Sequence, residues 1–70
     1  MNKMELLRIL RKASRGNIFS IEIPKVTHED GRKMEQWADG LQREGKIKLR
    51  ECVQRDYSVY LHGIMKYAPK

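Results

Sequence analysis

Seventy residues allow one hydrophobic core, close to the lower limit at which a domain folds without covalent or metal staples. The single cysteine, Cys52, excludes an intramolecular disulfide, and no group of Cys and His has the spacing of a metal site. Fifteen Lys and Arg against nine Asp and Glu leave a net charge of +6, which favours a phosphate-bearing partner ahead of a membrane surface. The apolar residues of the N-terminus are interrupted by Glu5, Arg8, Arg11 and Lys12, so neither a signal peptide nor a membrane span is expected. The expectation is a single domain over residues 1–70, cytoplasmic in keeping with a lone thiol, with no membrane partner and no cofactor.

The charge is unevenly spread. Residues 1–19 carry five basic groups and one acidic, residues 20–31 one basic and three acidic, and residues 32–50 six basic and three acidic. A basic surface must therefore come from the first segment and from Arg32 to Arg50, not from "SIEIPKVTHED".

In the first segment Leu6, Ile9, Leu10 and Ala13 recur at the helical period, with Lys3, Arg8, Arg11, Lys12 and Arg15 mostly off that stripe. Asn2 can cap the start, Glu5 suits the positive end of the helix dipole, and Gly16-Asn17 ends the run, which predicts a helix over about residues 3–15. "IFSIEIP", Ile18 to Pro24, alternates Phe19, Ile21 and Ile23 with Ser20 and Glu22 and reads as a short strand followed by a turn or one helical turn. A short helix over 20–27 is the other reading, against which Pro24 counts. Thr27 then supplies an N-cap with Asp30 three residues on, and Met34, Trp37, Ala38 and Leu41 mark a helix over about 28–44 that Gly45 closes. Trp37 is expected in the core.

From Lys46 the period becomes two, as in a β-hairpin. Ile47, Leu49 and Val53 fall on one face with Glu51, while Lys48, Arg50 and Cys52 take the other; Tyr57, Val59 and Leu61 alternate with Ser58, Tyr60 and His62. With Gln54-Arg55-Asp56 as the loop, Val53 pairs with Tyr57, Glu51 with Val59 and Leu49 with Leu61, and Asp56 takes the left-handed position that a glycine would otherwise fill. Beyond the hairpin, Ile64, Met65 and Tyr67 either cover the core or form a contact between two copies of the chain.

Catalysis has little to work with. Both histidines, His28 and His62, stand in polar or strand-edge contexts, the carboxylates are scattered, and no Gly-rich phosphate loop or Ser-His-Asp order is visible. The chain is expected not to be an enzyme, and Cys52 reads as a half-buried strand residue.

The order helix, short strand, helix, hairpin, with the second helix ending in "LQREGKI", resembles the winged helix-turn-helix superfamily, in particular small transcriptional regulators of bacteria and their phages. Leu41, Gly45 and Ile47 match the joint between recognition helix and wing, and Met34, Trp37 and Leu41 stand where such domains place buried residues. The resemblance covers most of the chain and implies an α+β, winged-helix-like domain that binds specific double-stranded DNA to regulate transcription. It implies that Arg32, Lys33, Gln36 and Arg43 enter the major groove while Lys46, Lys48, Arg50 and Arg55 of the wing meet phosphate or minor groove. Two features depart from the pattern: the helix that normally precedes the recognition helix is reduced to "SIEIPKVTHED", and His28-Glu29-Asp30 puts negative charge at the start of the second. Glu35, Asp39 and Glu44 also interleave with the basic residues, so a module that grips a partner protein is the alternative, and a homodimer is left open.

Overall fold

A computed structural model describes residues 1–66. Its elements follow in the order α1 (Lys3–Ala13), β1 (Ile18–Pro24), α2 (His28–Arg43), β2 (Ile47–Gln54) and β3 (Ser58–Met65). The three strands form one antiparallel sheet in the order β1-β3-β2, with both helices packed on one of its faces. The fold is α+β.

Local chemistry sets the helix ends. The Asn2 side chain accepts from the Glu5 N–H and starts α1, which stops at Ala13, two residues short of the expected end, because Ser14 turns to an extended conformation. Arg15 instead bridges back to Ile18 through paired backbone hydrogen bonds, and Gly16 makes that turn with φ of 63°. Thr27 and Asp30 form the expected capping box at the start of α2. At its other end Gly45, φ 77°, closes a Schellman motif in which the Lys46 N–H donates to the Leu41 carbonyl and the Gly45 N–H to that of Gln42. Nothing helical separates β1 from α2: Lys25 to Thr27 form a bend, so neither a helix over 20–27 nor a helical turn after Pro24 is present.

The core joins Leu6, Leu7 and Leu10 of α1 to Met34, Ala38 and Leu41 of α2 and to Phe19, Ile23, Ile47, Val59, Leu61 and Met65 from the sheet. Trp37 is half-buried at the rim of this cluster rather than within it. The buried stripe of α2 runs through Gly31, Met34, Ala38 and Leu41, rotated away from Trp37 because β2 packs on the Gly31 side. Met65, in β3, covers the core; Tyr67 lies outside the described residues.

The hairpin departs from its expected register. Gln54 pairs with Val59, Val53 with Tyr60, Cys52 with Leu61 and Glu51 with His62; a bulge then takes up Arg50, and pairing resumes with Leu49 opposite Gly63. The bulge reverses the faces beyond it, so Cys52 turns inward and Glu51 and Val53 turn out. An unbroken register continued from Leu49 would set Glu51 opposite Leu61 on the core side, and burying an unpaired carboxylate costs several kcal/mol at roughly any interior site. The strands are joined by Arg55, Asp56 and Tyr57, with Tyr57 84% exposed instead of on the buried face. Asp56 is not left-handed, since no described residue other than glycine has positive φ.

On the core side Phe19, Gly63 and Leu49 form one row across the three strands. A Cβ at residue 63 would lie 2.7 Å from Phe19 Cζ and 3.1 Å from Leu49 Cα, so glycine is what lets the phenyl ring and β2 close over β3.

Candidate nucleic-acid interface

The basic residues of α2 fall where its packing leaves them. With Met34, Ala38 and Leu41 turned to the core, the 3.6-residue period puts Arg32, Gln36 and Arg43 together on the opposite, solvent side. Arg43 Nε lies 3.0 Å from Asp39 Oδ2, one turn back, a surface pair of the kind worth at most about 1 kcal/mol. Arg32 and Gln36 line a groove of about 480 Å³ between α2 and β2, shared with Glu35, Asp39, Leu49 and Cys52. Lys33 stands on the other flank of the helix, beside a smaller depression formed with Met1, Asp30, Met34 and Trp37.

Two glutamines fasten α2 to the hairpin. Gln42 Oε1 accepts from the Leu49 N–H at 2.7 Å, next to the bulge. Gln54 Nε2 donates to the Gly31 carbonyl and to Glu35 Oε1, both at 3.0 Å, and Gln54 Oε1 accepts from Lys25 Nζ at 3.1 Å. The sequence assigns neither residue this role, because an uncharged glutamine does not announce its partner; the inward turn of Gln54 follows only from the bulge. At the far end of α2 a Lys3–Glu44 ion pair ties it to α1.

The four hairpin cations separate. Lys46, exposed, follows Gly45, and its carbonyl accepts from the Lys66 N–H at 2.9 Å. Lys48 shares a row with Ile18 and Ile64 on the sheet face turned away from the helices. Arg50 is the exposed extra residue of the bulge. Arg55 sits at the hairpin turn with Nε 3.3 Å from Glu22 Oε2 and its guanidinium carbon 5.9 Å from the centre of the Tyr60 ring, which holds it over the outer sheet face. The same face carries Tyr60, whose hydroxyl is 2.8 Å from that of Ser20, and His62, whose Nδ1 is 3.7 Å from Glu51 Oε1. The eight sequence-predicted residues therefore lie on more than one side of the molecule: Arg32, Gln36 and Arg43 on the helix side, Lys48 and Arg55 on the sheet side.

Cys52 is half-buried, and its thiol is pushed above the usual range, first by burial and second by the charge of Glu35. Both effects disfavour the thiolate, so the groove holds an inert sulfur at neutral pH. Among the described residues no three His, Cys, Asp or Glu side chains are grouped to hold a metal ion, and no helix is long and apolar enough to cross a membrane.

The structure defines a class of architecture, two helices on one face of a three-stranded antiparallel sheet. No protein-family model, curated protein or solved structure matches the chain.

Proposed function

We propose that this protein is a winged-helix-like, sequence-specific binder of double-stranded DNA that regulates transcription in the cytoplasm. The observation that carries the reading is the direct Schellman joint at Gly45 between α2, with Arg32, Gln36 and Arg43 on its solvent face, and the β2–β3 hairpin. The sheet order β1-β3-β2 and the placement of α2 against the hairpin suit a recognition helix followed by a wing.

The bend over Lys25 to Thr27 takes the place of the helix that braces a recognition helix in such domains. Here the Thr27–Asp30 box, the Gln54 bonds to Gly31 and Glu35 and the Gln42 bond to Leu49 hold α2 at both ends. A rigidly held α2 can present Arg32 and Arg43 to guanine O6 and N7 and Gln36 to adenine N6 and N7. The Asp39 pairing of Arg43 is exposed and screened, so it yields to a base edge at small cost. Lys46 and Arg50, exposed at the base of the hairpin, supply charge to the backbone beside the groove.

A second reading rests on the groove between α2 and β2, where Arg32 stands among Glu35 and Asp39. That mixture suits a polar segment of a partner protein. The two readings separate in a titration of selected and random duplexes at two salt concentrations. Arg32→Ala should reduce the preference for the selected site by about 1–3 kcal/mol while leaving random-sequence affinity nearly unchanged. If the intact protein shows no affinity for any duplex at low salt, where a domain of net charge +6 ought to bind phosphate non-specifically, the DNA reading fails and the protein-partner reading takes its place.

A further inference from the structure

The most one-sided charge on the molecule lies on α1 and just beyond it, where residues 1–19 carry five basic groups and one acidic. Arg8, Arg11 and Lys12 of α1 are exposed, and Arg15, just beyond its end, is exposed as well. The offsets of three and four residues put Arg8, Arg11 and Lys12 along one stripe opposite the buried Leu6, Leu7 and Leu10, and Arg15 follows two residues beyond the end of the helix. Among the described residues none of the four makes an ion pair, whereas Lys3, Arg43 and Arg55 each have a carboxylate partner. The dipole of α1 explains a preference for Arg11 and Lys12 in its last turn, but not Arg8 in the middle or Arg15 past the end.

Both helices pack on the same face of the sheet, so the stripe of α1 and the solvent face of α2 look out from one side of the molecule. Lys48 and Arg55 belong to the opposite side. We propose that the α1 stripe is a second phosphate-backbone contact of this protein, beyond Lys46 and Arg50: with α2 in the major groove, Arg8, Arg11, Lys12 and Arg15 lie along the flanking backbone, and Lys48 and Arg55 stay clear of it. The inference rests on the DNA reading above and assigns its electrostatic surface. From Arg8 to Lys12 the helical rise spans about 6 Å, the axial length of about two nucleotides of one strand, and Arg15 extends the line beyond the helix end. A lipid surface fits less well, because the apolar residues of α1 are committed to the core and only Met4, 63% exposed, could enter an acyl layer.

The test compares three proteins against a random-sequence duplex over a range of NaCl concentrations: the intact chain, an R8Q/R11Q/K12Q variant and a K48Q/R55Q variant. Each neutralised phosphate contact lowers the slope of log K against log salt by about 0.9, so the α1 variant should lose 2 to 3 units of slope at about that rate, and the sheet-side variant none. An α1 variant that keeps the slope of the intact protein overturns this inference and leaves the α2 reading standing. Loss of slope in the sheet-side variant alone also overturns it, by moving the contact to the other face. Failure of the intact protein to bind any duplex overturns both proposals together. Binding to phosphatidylserine vesicles that disappears in the α1 variant, with duplex binding unaltered, would assign the stripe to a membrane instead. Should the triple variant not fold, Arg8→Gln and Arg15→Gln made singly should each lower the slope by about 0.9, and two unchanged slopes overturn the inference.

Discussion

Strands β1 and β2 both flank β3 and are nearly equal in length, yet β1 keeps one register from Ile18 to Pro24 while β2 breaks at Arg50. In β1 the polar residues Ser20 and Glu22 already alternate with Phe19, Ile21 and Ile23, so continuous pairing with β3 buries no charge. In β2 continuous pairing would carry Glu51 to the core side; the bulge sends it instead to the row of Ser20 and His62. The exchange exposes Val53 and brings Cys52 to Leu61. Keeping one carboxylate in water outweighs an ideal ladder, and the helix side adapts, with Gln42 taking up the Leu49 N–H beside the irregularity.

The sharpest way to break this comparison is to remove one residue from each strand. Deleting Ser20 shifts the rest of β1 by one, turning Ile21 and Ile23 to solvent and Glu22 toward Leu61, and should unfold the protein, a loss of at least about 5 kcal/mol for a domain this small. Deleting Arg50 should be survived with a loss of roughly 1 kcal/mol, because Leu49, Glu51, Cys52 and Val53 would then alternate without a bulge. Urea unfolding followed by circular dichroism distinguishes the two, and an Arg50 deletion as damaging as the Ser20 deletion would sink the account of the bulge.

A smaller effect is expected where α2 meets the irregular strand. Gln42→Ala leaves the Leu49 N–H without its acceptor and should lower stability by about 0.5–1.5 kcal/mol, with faster amide exchange confined to the Leu49 region. Unaltered exchange there would mean that the glutamine does not hold the strand. The smallest effect belongs to the turn. Tyr57→Ser should change stability by less than about 0.5 kcal/mol, since an exposed ring at the hairpin tip loses no packing. A loss near 2 kcal/mol would restore the register that places Tyr57 opposite Val53 in the core.

Much of the chain's organisation depends on residues within a few positions of each other, and that much was legible in the sequence. The Asn2 cap, the Thr27–Asp30 box, the strand over Ile18–Pro24 and the Gly45 terminus each arise from a local backbone requirement that one or two neighbouring side chains meet. The solvent position of Arg32, Gln36 and Arg43 follows in the same way from the apolar stripe of α2.

Tertiary structure decided the rest, because the deciding partner lay far along the chain. Whether Glu51 or Cys52 faces inward depends on Leu61 across the ladder, and alternation alone assigned them the wrong way round. Trp37 fits the helical period as well as Ala38 does, but the approach of β2 to Gly31 rotates the buried stripe and leaves the indole at the rim. The cations of 32–55 read in the sequence as a helix set and a wing set of one interface and divide in space, since a strand residue's side of the sheet is fixed by pairing and a helix residue's side by packing. A charge count locates basic segments, but the faces they occupy are set only when the helices choose one side of the sheet.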